Sequence, residues 1–416
     1  MTGRSLWRHA DFLRLWIAHS VSLLGSQVTV FAVPLMAILL LHASPVEVGA
    51  ITACGYLPFL LIGLPVGALV DRWPLRRLLV AVDVGRALVL GCVPVAHLAG
   101  ALSIGLLGAV MFVHGALTTF ADTAHPSYLP ALVDNDQLIE GNTKLQTSYS
   151  MAELAGPGLG GVLVKLVGAP FALLADAASF VASAAILVGI RRREPARTAA
   201  ATDRIGPQIR EGLSYVTRHA TLRALVMCMA GANFFDLYGM VQVILPVYAL
   251  GELGLSPAVY GAALSVANLG ALIGIASNAR LVRRHGVGPA IIGASILPGS
   301  GVLLLTLATP HTAPVLIMLS LGVAGFGVVV FNVNQLSLRQ HVTPLALQGR
   351  MNATVRFLIW GMIPAGAFAG GLLSQAIGVR AALVIAGAGS LLSSLPLVRS
   401  PLGRVRTMAD ACEPGV

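Results

Sequence analysis

Apolar residues fall along the chain in twelve long blocks separated by short polar breaks. The blocks lie at roughly 15–41, 46–70, 78–97, 102–121, 146–168, 169–190, 222–250, 257–279, 288–308, 313–335, 354–377 and 379–397. About 20 apolar residues in helical form cross the hydrocarbon core of a bilayer, so the pattern predicts twelve membrane-spanning helices. The longest break runs from Arg191 to about Arg223. It opens with Arg191, Arg192 and Arg193 and includes Pro195 and Pro207. Within it Ile209, Leu213 and Val216 recur at helical spacing among Arg210, Glu211 and Arg218. That pattern predicts an amphipathic helix lying along the membrane face. The expected organisation is a six-helix bundle over 1–190, a linker over 191–221, a second six-helix bundle over 222–398 and a tail over 399–416.

The two halves repeat. Ser44-Pro45-Val46-Glu47-Val48-Gly49-Ala50 returns as Ser256-Pro257-Ala258-Val259-Tyr260-Gly261-Ala262. Asn142, Gly160, Gly161 and Gly168 return as Asn352, Gly370, Gly371 and Gly378. The first set is offset by 212 residues and the second by 210, the differences between matched positions. Six spans separate the copies, so the halves are parallel repeats, with a pseudo-two-fold axis along the membrane normal. The expected fold class is an all-α membrane protein, with twelve transmembrane helices in two pseudo-symmetric six-helix bundles.

Composition agrees with a lipid-facing surface. Hydrophobic residues make up 56% of the 416 and charged residues only 11%, against about a quarter charged in a soluble protein. The net charge of +10 rests on arginine, since Lys144 and Lys165 are the only lysines. The basic residues sit between apolar blocks, as the positive-inside rule requires of cytoplasmic loops, and not in a patch suited to nucleic acid. With the N-terminus inside, 25 of the 27 Lys and Arg fall on the cytoplasmic side or its membrane edge, Lys165 and Arg380 being the two exceptions. Both termini are therefore expected in the cytoplasm, and the chain in the inner membrane. Cys54, Cys92, Cys228 and Cys412 lie too far apart in sequence to suggest a disulfide framework or a metal site.

Two motifs carry chemistry. The loop after the second span reads Gly67-Ala68-Leu69-Val70-Asp71-Arg72-Trp73-Pro74-Leu75-Arg76-Arg77. It resembles the signature loop G-x-L-x-D-R-x-G-R-K of the major facilitator superfamily, with Pro74 in place of Gly and Leu75 in place of Arg. The resemblance implies that Asp71 meets the N-terminal end of a helix in the other half, where the dipole favours a carboxylate. Arg72 and Arg76 would complete a latch on the cytoplasmic gate. The aligned residues of the second half, Arg283 and Arg284, have no acid beside them. Span 5 contains Glu153-Leu154-Ala155-Gly156-Pro157-Gly158-Leu159-Gly160-Gly161, similar to the G-P-x-x-G-G motif of antiporters in that superfamily. Glu153, Gly156, Pro157, Gly160 and Gly161 share one helix face, where glycines allow close approach of a neighbour. Pro157 removes a backbone bond and bends the helix. The face is open to two uses, helix packing alone or a bendable seam between the halves. The segments Tyr128–Asn142, Val342–Asn352 and Pro364–Gly371 resemble the branch that includes macrolide efflux pumps and the enterobactin exporter. That branch often carries an acid after Leu-Gly in span 1, where Ser26 stands here.

Two acids fall near mid-span, Glu153 in span 5 and Asp236 in span 7, with Asn233 one turn before the latter. A central carboxylate costs about 2.5–3.5 kcal/mol on insertion scales and is functional by default, so both are candidates to load and release a proton. The alternative for each is a carboxylate paired structurally with a neighbouring helix. Asp176 and Asp122 lie nearer span ends and rank below them. Asp83 and Arg86, one turn apart at the start of span 3, are expected to pair. In the superfamily, spans 1, 4, 7 and 10 line the cavity, which places Gln27, Phe31, His114, Asn233, Phe234 and Asn332 as candidate lining residues, joined by Phe235 and Phe331. A lining with so few polar anchors suits lipophilic compounds.

ATP hydrolysis needs a phosphate-binding Gly-Lys pair, but Thr143 precedes Lys144 and Val164 precedes Lys165. There is no His-Glu-x-x-His zinc motif, and the polar positions are too scattered for an enzyme. The expectation is a secondary transporter without cofactor or metal: a monomer in the bilayer that exchanges protons for small organic molecules by rocking its halves. The competing readings are an uptake symporter or facilitator of the same fold and a non-transporting receptor or assembly partner.

Overall fold

A computed structural model describes residues 6–70, 72–134, 137–192, 205–407 and 410. Among the described residues the secondary structure is helical, with no strand. The helices are α1 (Ala10–Leu39), α2 (Pro45–Val70), α3 (Leu75–Leu98), α4 (Ile104–Leu132), α5 (Leu138–Val167), α6 (Ala169–Val188) and α7 (Ile205–Arg218). They continue with α8 (Ala220–Phe235), α9 (Met240–Pro246), α10 (Pro257–Ala267), α11 (Leu269–His285), α12 (Val287–Leu305) and α13 (Ala313–Val342). The last are α14 (Leu345–Trp360), α15 (Met362–Ile377), α16 (Val379–Ser393) and α17 (Leu395–Val398). Among the described residues, twelve stretches are long and apolar enough to cross a membrane. The first six are single helices, α1 to α6. Four of the last six are interrupted: span 7 comprises α8, α9 and a π-helical turn (Val247–Glu252), span 8 comprises α10 and α11, span 11 comprises α14 and α15, and span 12 comprises α16 and α17.

Local chemistry starts and stops these helices. Ser44 and Glu47 form a reciprocal cap at the start of α2: the Glu47 carboxylate accepts the Ser44 amide at 2.7 Å, and the Ser44 hydroxyl accepts the Glu47 amide at 3.4 Å. The repeat partner Ser256 caps α10 by accepting the Val259 amide at 3.4 Å, with Pro257 at the first helical position, where its missing N–H is harmless. Gly168 and Gly378, another repeated pair, turn the chain between spans 5 and 6 and between spans 11 and 12. Their φ values are +84° and +87°, each with ψ near 156°, a region that L side chains rarely adopt.

The chain divides into two compact units: unit 1 is Met1–Ala43 with Cys54–Thr202, and unit 2 is Ser44–Ala53 with Asp203–Val416. In unit 1, α6 packs on α1 and α3, α5 on α1, and α4 on α3. Phe12, Leu15, Leu75, Leu79, Tyr128 and Leu187 form its core at the end where α1 begins. In unit 2, α12 packs on α13 and α16, and α13 on α10 and α11, around Leu225, Ile291, Val330, Phe331 and Leu338. The amphipathic α7 is docked on α14 and does not merely lie on a surface. Val216 is buried with Met351, Val355 and Ile359, and the Tyr215 hydroxyl donates to the Val342 carbonyl at 2.8 Å. At the same end of unit 2, the Val287 and Gly288 amides donate to the carbonyls of Arg406 and Val405, tying the tail to the start of α12.

Candidate functional site

Unit 2 holds an acid in a broken helix. Span 7 opens after Phe235, where Asp236 adopts an extended backbone (φ −102°, ψ −156°), and closes again at Met240. Gly239 makes the break possible, because a Cβ there would collide with the carbonyl oxygens of Asn233 and Phe234. The Asp236 carbonyl accepts the amides of Gly239 at 3.0 Å and Val241 at 3.2 Å, so one oxygen satisfies two groups freed by the break. Its side chain is 5% exposed. Oδ2 accepts the Ser390 hydroxyl of α16 at 3.4 Å, the Leu237 amide also donates to the carboxylate, and Oδ1 has no hydrogen-bond partner among the described residues. None of the salt bridges among the described residues engages it. The break rests on a face without side chains: a Cβ at Gly366 of α15 would meet the Phe234 carbonyl, and one at Gly370 would lie 2.8 Å from the Met240 carbonyl. Asn233 donates to the Ile359 carbonyl at 3.0 Å. Phe234 and Phe235 stack edge to face at 4.8 Å.

The same seam recurs in unit 1, offset by 210. A Cβ at Gly156 of α5 would strike the Gln27 side chain of α1, and one at Gly160 would lie 3.0 Å from the Phe31 ring. The antiporter-like glycines therefore seat span 5 on span 1 of their own unit, as Gly366 and Gly370 seat span 11 on span 7. This is the helix-packing use of that face. The glycines lack the bulk to hold α1 away, so the two helices close on each other. Pro157 and Gly161 sit within α5, which is helical throughout. Glu153 lies partly buried one turn before Gly156 and hydrogen-bonds Tyr149 one turn earlier.

Three of the expected cavity residues are buried, Phe331 among them in the core of unit 2. Phe31, 6% exposed, fills the space that Gly160 leaves, and His114, 9% exposed, packs its ring 5.9 Å from Phe180. His114 Nε2 is buried there without a hydrogen-bond partner among the described residues. Gln27, Asn233 and Phe234 are half-buried and Asn332 is exposed. Of the gate residues, Asp71 lies outside the described residues and Arg72 is exposed. Arg76 is anchored at the end of the neighbouring helix α6. Its Nη1 donates to the Ile190 carbonyl at 2.6 Å, just past the end of α6, where a cation suits the helix dipole.

The polar interior of unit 1 was largely missed by the sequence reading. Asp83 is fully buried and Arg86 is 4% exposed. Their salt bridge was expected, but not its depth about three turns into α3. Arg86 Nη2 meets Asp83 Oδ1, Asp83 Oδ2 accepts the Ser183 hydroxyl at 2.6 Å, and the guanidinium lies 4.0 Å from the centre of the Phe180 ring. Asp176, ranked low for its distance from mid-span, is fully buried on the same face of α6. It accepts Thr29 of α1 at 2.5 Å and Ser179 at 3.0 Å. Its signal in the sequence was the bare presence of an acid inside an apolar block. Among the described residues no cluster of three His, Cys, Asp or Glu is placed to hold a metal ion.

A family profile described as transmembrane secretion effector matches residues 2–413. The chain is 25% identical over 394 residues to the MFS-type transporter YfiS of Bacillus subtilis (strain 168), covering 90% of this chain and 89% of YfiS. It is 26% identical over 403 residues to the multidrug efflux pump Tap of Mycolicibacterium fortuitum, covering 94% and 95%. The fold is similar to that of a bacterial homologue of the iron transporter ferroportin in an inward-facing state, with a TM-score of 0.76, 18% identity and coverage of 95% and 99%. It is also similar to that of the nucleoside transporter NupG, with a TM-score of 0.75, 12% identity and coverage of 93% and 99%. At these identities the structural likeness shows the fold.

Proposed function

The chain belongs to the transmembrane secretion effector family of the major facilitator superfamily, and we propose that it exports lipophilic small molecules in exchange for protons by alternating access. The observation that carries this reading is Asp236, a carboxylate at the break in span 7 that has, among the described residues, one oxygen without a hydrogen-bond partner and no salt bridge. A charged group left uncompensated in low dielectric is expensive, and a discontinuous helix at the membrane midplane is where transporters place coupling ions. Taking up a proton at Oδ1 neutralises the group, and releasing it restores the charge. Support for export of lipophilic compounds comes from the likeness to Tap, whose name is that of a multidrug efflux pump, and from the aromatic Phe234 and Phe235 beside the acid. In this reading both termini lie on the cytoplasmic side of the inner membrane, which the basic residues between the spans support. One proton crossing 100 mV supplies about 2.3 kcal/mol, enough for a concentration ratio of roughly 40 at about 1.4 kcal/mol per tenfold.

The test uses inside-out vesicles loaded with the wild-type chain, Asp236→Asn or Glu153→Gln, and ethidium as a lipophilic cation. Asp236→Asn is expected to abolish uptake driven by an imposed proton gradient while retaining exchange down an ethidium gradient. Glu153→Gln separates the two candidate acids. Wild-type accumulation in both variants removes these acids from the coupling.

A further inference from the structure

The interior of unit 1 contains more charge chemistry than a structural pair requires. Four helices converge on it. From α3 come Asp83 and Arg86, and from α6 come Asp176, Ser179, Phe180 and Ser183, one face in steps of three and four residues. From α1 come Gly25, Thr29 and His19, and from α4 come His114 and His125. Asp83 is fully engaged, with one oxygen on Arg86 and the other on the Ser183 hydroxyl. Asp176 is not neutralised in this way. Its direct partners are the hydroxyls of Thr29 and Ser179, while Arg86 and Asp83 act on it only through space. The cluster thus has two carboxylates and one guanidinium, an excess of one acid.

The site is also built to receive that acid. A Cβ at Gly25 would collide with the Ser179 hydroxyl and lie 2.5 Å from Asp176 Oδ1, so α1 leaves a cradle under the carboxylate that any other residue would fill. Two further groups enter the same interior with unmet hydrogen-bonding capacity: Arg86 Nε and His114 Nε2, both buried and without a partner among the described residues. The imidazoles of His19 and His125 stand 4.6 Å apart, nearer the end where α1 begins, and the Arg86 charge acts on all three histidines. The remaining neighbour of α6, α5, bears Glu140, Lys144, Glu153 and Lys165, none of which is among the groups acting on Asp176.

We propose that Asp176, cradled by Gly25 and Thr29 beside the Asp83–Arg86 pair, is a second proton-binding site, housed wholly in unit 1 and separate from Asp236. When the proton sits on an Asp176 oxygen, the two acids and the arginine sum to zero. When it leaves to water, they sum to one negative charge. Thr29 serves both states because its hydroxyl donates to the carboxylate and accepts from the acid. The use of this site in transport rests on the proton-coupled reading above, but the protonation itself does not.

The experiment is difference infrared spectroscopy of the full-length protein in liposomes, stepped between about pH 5 and about pH 9. The readout is the carbonyl stretch of protonated carboxyl groups. Asp176→Asn is expected to delete one titrating band that Asp236→Asn leaves in place. An Asp176→Asn spectrum with every titrating band of the wild type overturns the proposal. Should Asp176→Asn not fold, Thr29→Val keeps the acid and removes its partner. The same band must then shift in frequency, and an unshifted spectrum also overturns the site. No substrate or gradient enters this measurement, so it stands or falls separately from the vesicle experiment on Asp236.

Discussion

The Asp83–Arg86 pair allows a quantitative test of how unit 1 is held together. Removing one partner of a buried ion pair strands the other, at a cost of about 3–5 kcal/mol. Arg86→Met keeps most of the side-chain volume under Phe180 but leaves Asp83 with only the Ser183 hydroxyl. Asp83→Asn keeps a partner for Ser183 but leaves the guanidinium without its anion. The double variant strands neither charge. It loses the bonds of the pair and the contact of Arg86 with Phe180, 4.0 Å from the ring centre, a contact of about 0.5–2 kcal/mol. The two single losses together therefore exceed the double loss by at least about 2 kcal/mol, within the range seen for coupled neighbours and about 30-fold in the unfolding equilibrium. The assay is reversible unfolding in mixed micelles, followed by tryptophan fluorescence. Trp7, Trp16 and Trp73 lie in unit 1 and only Trp360 in unit 2, so the signal weights the right unit. Additive single losses would refute the argument, because they would mean that each charge is already compensated without the other.

The glycine seams and the tail give two further expectations. Gly366→Ala forces a methyl group against the Phe234 carbonyl and should destabilise unit 2 by about 1–3 kcal/mol. Gly293→Ala, on the same unit with nothing within 4 Å of the added Cβ, should stabilise by about 0.5–1 kcal/mol. Equal thermal stability of the two variants would show that the seam is not tightly packed. In the tail, the Thr407 amide, the Thr407 hydroxyl and the Arg406 amide all donate to Asp410 and hold its carboxyl below the usual carboxylate range. A folded-state value below the unfolded one means that the turn is stabilised above the ordinary carboxyl pKa and loses that support as pH falls through the folded value. Hydrogen exchange should therefore show protection of the Arg406 and Thr407 amides at about pH 6 that is gone at about pH 2.5. Protection unchanged between the two refutes the turn.

The fold was legible because lipid imposes a simple rule on sequence: every span must be a helix of sufficient apolar length. The repeated Ser44/Ser256 and Gly168/Gly378 pairs were legible for a related reason, since a helix cap and a positive φ each restrict residue type. The site was legible only in part. Asp236 stood out as an acid in mid-block, but the break that holds it did not. The sequence there shows Gly239 alone, and its need arises from the Asn233 and Phe234 carbonyls packed above it. Span number alone does not say which way Phe31 and His114 face. Which way they face is decided by Gly160 on one helix and Phe180 on another, and a single span carries no record of its neighbours. The Asp83–Arg86 pair is expected at the start of span 3, but sequence position does not give its depth in the packed unit. Asp176 ranks low by its distance from mid-span, a measure that does not register burial.

The two units share one packing device and differ in how they treat charge. In both, a pair of glycines four residues apart seats the fifth span of the unit on its first, at Gly156 and Gly160 in one and at Gly366 and Gly370 in the other. In unit 1 the spans are unbroken and the buried acids are surrounded by Arg86, Thr29, Ser179 and Ser183. In unit 2 span 7 is broken under that glycine face, and among the described residues Asp236 has a single side-chain partner, at 3.4 Å. A repeat that needed its acids only for packing has no reason to leave one with so little compensation, because an apolar residue of similar size would be cheaper in either unit. The retention of Asp236 where the backbone is already interrupted is therefore better explained by a change of charge during the working cycle than by stability.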